Sequence, residues 1–313
     1  MKILVVGCGS IGQRHVENLQ KISKNITIEI YDKDQTKLEN LKMNNVKVAN
    51  EKYIDSKTYD CVLICTPPIT HVDLATRALN ANSNVFIEKP LSHNLEKIDE
   101  LMQLKKEKNL LVFVGYSFRF NKGLNYIKKI IETKEFGKVL HVSSYFGQFL
   151  PDWRPNQNIK ESYTLKKELG GGIILDSSHE LDYLTWIFGK PESIQANFVQ
   201  TDIFPSNVEA ICDIILKFSK NILATIHMDF VRRKYKRTLE LLTENAIIEW
   251  SLGENTIKII DAKSNSPKII SSEESINDMY IEELKHVIEC IQSHKNSDKI
   301  SLENGISTMN LSY

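Results

Sequence analysis

The sequence has no excess of either charge: forty Lys and Arg stand against forty Asp and Glu over 313 residues. That balance excludes the strongly basic surface by which a protein holds nucleic acid or an anionic membrane. One dense basic run, Arg232 to Arg237, reads as a solvated strand or loop face. No apolar run approaches the roughly 18 residues of a membrane helix. The opening MKILVVGCGSIG is too short and too broken by glycine to read as a signal peptide. Cysteine is scarce: Cys8, Cys61, Cys65, Cys212 and Cys290 are odd in number, include no C-x-x-C pair and fall mostly in apolar runs. They read as reduced core residues, so the expected location is the cytoplasm, with no metal site. Internal repeats and low-complexity tracts are also missing.

What is present is the balance of a globular protein, 42% hydrophobic and 26% charged, at a length that suits two domains. Up to residue 118 the apolar runs KILVV, ITIEIYD, VKVA, DCVLICT, NVFIEK and LLVFVGY alternate with amphipathic stretches such as IGQRHVENLQKIS, DQTKLENLKM and THVDLATRALN. Strands separated by helices predict βαβ units and a doubly wound parallel sheet, whose continuous apolar strands are covered on both faces. From 119 to 313 the pattern changes. Helices are predicted near 122–133, 173–188 and 279–293, and between 193 and about 260 strand-like segments follow one another through short polar turns, SKN and TEN among them. That predicts an α+β domain with a mainly antiparallel open sheet. The expected division is therefore 1–118 and 119–313.

The first strand runs into Gly7-Cys8-Gly9-Ser10-Ile11-Gly12, and Asp32 stands twenty positions after Gly12 at the end of the second strand. Gly7 permits the tight turn, Gly9 lets the backbone approach a pyrophosphate, and Gly12 allows close helix packing. The helix start at Ser10 and Ile11 offers N–H groups and a positive dipole end to phosphate. Asp32 is placed to accept from ribose hydroxyls, and its charge favours NAD over NADP. Thr66 and Pro67, after the fourth strand, and Glu88 and Lys89, at the tip of the fifth, border the same crevice. His71, in the following helical turn, reads as structural or exposed.

An ammonium group at the end of an apolar strand is the chemically pointed feature here. Beside a bound substrate Lys89 can shuttle a proton while a nicotinamide takes or gives a hydride, and Pro90 holds it in extended geometry. Further on, GGGIILDSSHELDYLTWIFG (170–189) places Asp176, His179 and Asp182 at spacings of three, predicting one helical face on which a carboxylate orients the histidine.

Taken in order, GCGSIGQRH, EKPLS and GGGIILDSSHELDYLTWIFG resemble the Gfo/Idh/MocA oxidoreductases of the glucose–fructose oxidoreductase and inositol dehydrogenase type. The resemblance implies a Rossmann domain joined to an α+β domain whose open sheet serves homodimer or homotetramer formation. It also implies a sugar-type substrate, Lys89 as catalytic lysine before a cis Pro90, and His179 as the helix histidine. The family's aspartate stands four residues before that histidine; here Asp176 stands three before. YFGQFLPDWRP with SHELDY looks like a subgroup associated with surface-polysaccharide and sugar-acid metabolism. The resulting expectation is an NAD-dependent dehydrogenase, with Lys89, His179 and Asp176 catalytic and with Arg119, Trp153, Arg154, Tyr163 and Asp182 as substrate contacts. Two other readings are a redox-assisted lyase, hydrolase or epimerase that regenerates its NAD, and a non-catalytic NAD-binding protein.

Overall fold

Val, Ile and Phe fill both faces of a covered sheet, and the apolar runs of the first 118 residues become strands for that reason. The computed structural model describes residues 1–39, 46–153, 158–264 and 266–313. Its first strands are β1 (Lys2–Val6), β2 (Thr27–Tyr31), β3 (Val46–Val48), β4 (Cys61–Ile64), β5 (Val85–Glu88) and β6 (Val112–Gly115). All neighbours pair parallel in the order β3-β2-β1-β4-β5-β6. Helices α1 (Ser10–Ile22), α2 (Gln35–Glu39), α3 (Tyr53–Ser56), α4 (His71–Asn80) and α5 (Ile98–Lys108) lie between the strands in sequence. Of the helix expected over 34–43, α2 is described and residues 40–43 lie outside the described residues. This is the doubly wound sheet of a Rossmann domain, and its strand order reverses between β1 and β4.

A second unit covers Phe118–Ser275. It holds α6 (Lys122–Thr133), β7 (Val139–Gly147), α7 (Leu150–Trp153), α8 (Ile173–Asp176), α9 (His179–Phe188) and then β8 (Ser193–Val199), β9 (Ile211–Phe218) and β10 (Ile222–Asp229). β11 (Lys236–Thr243), β12 (Ala246–Ser251), β13 (Thr256–Asp261) and β14 (Lys268–Ser271) complete it. The eight strands form one sheet in the order β14-β13-β12-β11-β7-β10-β9-β8, antiparallel at every pair except β7 with β10. Burial alternates along β9, so one face is covered and the other is not. α9 lies on the covered face, where the Tyr183 hydroxyl and Ser144 Oγ are 2.6 Å apart. Phe198, Ile215 and Leu223 are exposed on strands of the same sheet.

The predicted boundary is corrected at the C-terminus. α10 (Ile276–Ser293) and α11 (Leu302–Ser312) follow the second unit in sequence, yet residues 276–311 belong to the first. Met279, Leu284 and Val287 of α10 are buried, and Asn18 and Asn277 exchange amide hydrogen bonds of 3.1 and 2.8 Å. The Ile300 carbonyl accepts from Val114 N–H at 2.9 Å, extending the pairing of β6, and α11 starts at a Ser301/Asn304 capping box. Helical periodicity shows that a face must be covered; it carries no information about which sheet covers it. Among the described residues no helix is long and apolar enough to cross a membrane, and no cluster of metal-ligating side chains occurs.

Candidate active site

β1, β4 and β5 are adjacent and run the same way, so the turns that follow them open at one end of the first unit's sheet. Gly7 has φ +92°, in the left-handed region, and a Cβ there would stand 2.7 Å from the Cys65 carbonyl. A Cβ on Gly12 would collide with the Gly7 carbonyl oxygen, which is how α1 approaches the loop so closely. At Gly9 nothing lies within 4 Å of where a Cβ would be, and α1 begins at Ser10 and Ile11 with no side-chain cap. Open space above uncapped N–H groups fits a pyrophosphate. Asp32 is 6% exposed; its Oδ2 accepts from Cys8 N–H at 2.7 Å and its Oδ1 from Asp34 N–H at 2.9 Å. It ties the glycine loop to the end of β2 and keeps lone pairs for ribose hydroxyls. Burial pushes the neighbouring Cys8 thiol up to about 12, which rules it out as a thiolate.

After β4, Thr66 Oγ1 and Thr70 Oγ1 are 2.7 Å apart, and Pro67 is exposed beside them. After β5, Lys89 is partly exposed and its peptide bond to Pro90 is cis. Glu88, expected among the cofactor contacts, is corrected to an internal role. Its buried carboxylate faces His15 Nε2 at 2.6 Å through Oε1 and accepts from Lys89 N–H at 3.2 Å through Oε2. His71 is buried, with Nδ1 2.9 Å from the Pro90 carbonyl and Nε2 2.7 Å from that of Thr66. Sequence reasoning passed over His15, whose signal is its place one turn beyond Gly12 on the same helix.

In the second unit, the helix expected over 173–188 is two helices. Ser177 and Ser178 interrupt it, so Asp176 ends α8 and His179 begins α9. The predicted common face of Asp176, His179 and Asp182 is therefore broken. Asp176 Oδ1 accepts from the Tyr163 hydroxyl at 2.7 Å, which brings together two of the predicted residues. His179 is 5% exposed and packs against Phe118, with ring centroids 4.7 Å apart. Glu209 was not anticipated: its Oε1 accepts from Ile174 N–H at 3.2 Å and its carbonyl from Ile173 N–H at 3.1 Å, anchoring α8. Burial raises the pKa of its carboxyl group.

Arg119 and Asp182, both expected to contact substrate, instead neutralise each other. Nε donates to Oδ2 at 2.9 Å and Nη2 to Oδ1 at 2.7 Å, with the side chains 3% and 0% exposed. A buried bidentate pair is an internal brace. Trp153 packs edge-on against Phe146 at 5.5 Å and lies 5.9 Å from Phe230. Arg154 lies outside the described residues.

Comparison with known proteins places these residues in context. Residues 1–116 match the oxidoreductase family with NAD-binding Rossmann fold, and residues 124–249 match the GFO/IDH/MocA C-terminal domain. A myo-inositol 2-dehydrogenase of Thermotoga maritima is 29% identical, covering 100% of this chain and 94% of its own. A 2,7-anhydro-N-acetylneuraminate hydratase of Escherichia coli is 26% identical over 55% of this chain and 46% of its own. Among solved structures, a levoglucosan dehydrogenase in complex with NADH superposes with a TM-score of 0.88 at 16% identity, covering 100% of this chain and 95% of that one.

Proposed function

The chain belongs to the Gfo/Idh/MocA oxidoreductase family, with an NAD-binding Rossmann domain, and from that premise we propose that it is a dehydrogenase of sugars or sugar derivatives. In this reading the first unit holds NAD, and the second supplies the substrate contacts and, through its exposed sheet face, a homodimer or homotetramer interface. The observation that carries it is the position of Lys89, one residue past β5, on the same sheet end as the glycine loop and the Thr66–Pro67 turn. NAD held by the glycine loop and Asp32 would supply hydride chemistry at the carbinol or carbonyl carbon of the substrate. Lys89 Nζ takes the hydroxyl proton in the oxidation and gives it back in the reduction. In the second unit, His179 is assigned a proton-holding role, and Asp176, which accepts from the Tyr163 hydroxyl, is assigned with it to catalysis. The Asp32 carboxylate, at the ribose end of the loop, repels a 2′-phosphate, so NAD is assigned over NADP.

A screen of sugars, polyols, sugar acids and nucleotide sugars, followed by absorbance of NADH, tests this reading; a substrate oxidised with NAD and not with NADP is the expected result. Tighter NADP than NAD binding would overturn the cofactor assignment. The hydratase relative favours a second reading, in which the cofactor is reduced and reoxidised within each turnover. Product formation with no net change in NADH absorbance is the result that selects it.

A further inference from the structure

We propose that His15 and His71 are positioning residues that clamp the Glu88-Lys89-Pro90 turn from its two sides; the proposal rests on the reading of Lys89 as proton carrier. His15 is wholly buried on α1, with its ring edge-on to Phe86 at 5.3 Å and to Tyr280 at 6.1 Å. Its Nδ1 has no hydrogen-bond partner, so the 2.6 Å contact from Nε2 to Glu88 Oε1 is the ring's polar connection. The same carboxylate accepts the Lys89 backbone N–H through its other oxygen at 3.2 Å. On the far side of the lysine, the His71 ring lies between the Pro90 carbonyl at 2.9 Å and the Thr66 carbonyl at 2.7 Å. Each neighbour of Lys89 in sequence is thus held by a buried ring, one from the helix that follows the glycine loop and the other from the helix that follows β4.

Rings suit this work because a buried imidazole has two torsions and a fixed distance from backbone to donor. A turn tied to it is therefore held closely when the ring is packed on both faces. Burial lowers the His71 pKa against the opposing pull of the Thr66 and Pro90 carbonyls, so the ring is neutral at pH 7 and carries one N–H. A neutral ring donates to only one of these two carbonyls, and two amide variants show which one. Asn places an N–H donor near the position of Nδ1, toward Pro90, and Gln places one near that of Nε2, toward Thr66. At position 15, Gln retains a donor toward Glu88.

Hydrogen exchange of peptides spanning 86–92 in the full chain, with and without NADH, reads the clamp directly. Labelling of Lys89 by pyridoxal 5′-phosphate, fixed with borohydride and located by peptide mass, reads its effect on the amine. His15→Leu and His71→Leu are expected to raise exchange in 86–92 about tenfold, the factor that loss of one buried hydrogen bond permits, and to leave the β2 peptide unchanged. Both variants also change the Lys89 labelling rate. His15→Gln and His71→Asn are expected to stay within about threefold of wild type, and His71→Gln to exchange like His71→Leu in 86–92. The clamp is overturned if exchange and labelling match wild type in every variant, or if the conservative and leucine variants move together. Lys89→Met in the sugar screen judges the lysine reading separately, because its turnover does not depend on either exchange result.

Discussion

The turn after β5 and the segment from Tyr163 to Asp182 each present an ionisable side chain near a glycine-bearing loop, and they are fixed by different forces. Around Lys89 the partners are rings and backbone carbonyls at the ends of adjacent strands. In the other segment they are a fully buried ion pair and a carboxylate at a helix start: Arg119 holds Asp182, and Glu209 accepts from Ile174 N–H. A break in the first region is local, because strand pairing survives it. A break in the second leaves a charge or a helix end without its partner in a buried place, so its effect reaches the whole unit.

The largest effect therefore belongs to the ion pair. Asp182→Ala removes the bidentate carboxylate from the buried Arg119 guanidinium and is expected to cost about 3–5 kcal/mol in chemical denaturation, whereas replacing both residues with apolar ones of similar volume recovers most of that loss. A cost within experimental error for Asp182→Ala would mean that the two regions do not differ as described. Elsewhere in the first unit, at the end of β2, Asp32→Ala is expected to weaken NADH binding about tenfold and to narrow the gap between NAD and NADP, while the melting temperature changes by only a few degrees. Fluorescence titration with both cofactors checks it.

These contrasts also explain what could be read in the sequence. The Rossmann sheet, the roles of Gly7 and Gly12 and the place of Lys89 were legible because each depends on neighbours within one βαβ unit. The common face expected of Asp176 and His179 failed because spacings of three do not say that Ser177 and Ser178 break the helix, and the pairing of Asp182 was not legible because Arg119 arrives from elsewhere in the chain. His15 was hidden for a similar reason: its partner Glu88 lies 73 residues away. The docking of α10 and α11 onto the first unit depends on the edge of β6 and the open side of α1, which periodicity does not encode.

Smaller effects refine the picture. Tyr163→Phe removes one hydrogen bond to Asp176 and is expected to lower the stability of the second unit by about 1 kcal/mol, read from denaturation midpoints at pH 7. Glu209 has a raised pKa through burial, so the buried charge destabilises the fold once the group ionises: the stability tied to its protonated form is complete below 4.5 and is lost as pH rises through the folded pKa. Glu209→Gln keeps an acceptor for Ile174 N–H and removes that charge. It is expected to melt higher than wild type at pH 7 and alike below pH 4.5; a lower melting temperature at pH 7 would show that the charge itself helps hold α8.

NAD binding and the proton transfer proposed for Lys89 are separable tasks of the first unit. The direct measurement pairs an NADH fluorescence titration with turnover of an identified substrate in wild type and Lys89→Met. The expected result for Lys89→Met is NADH affinity within about threefold of wild type and turnover lower by about 10² or more. Turnover near the wild-type rate, with NADH bound normally, would contradict it.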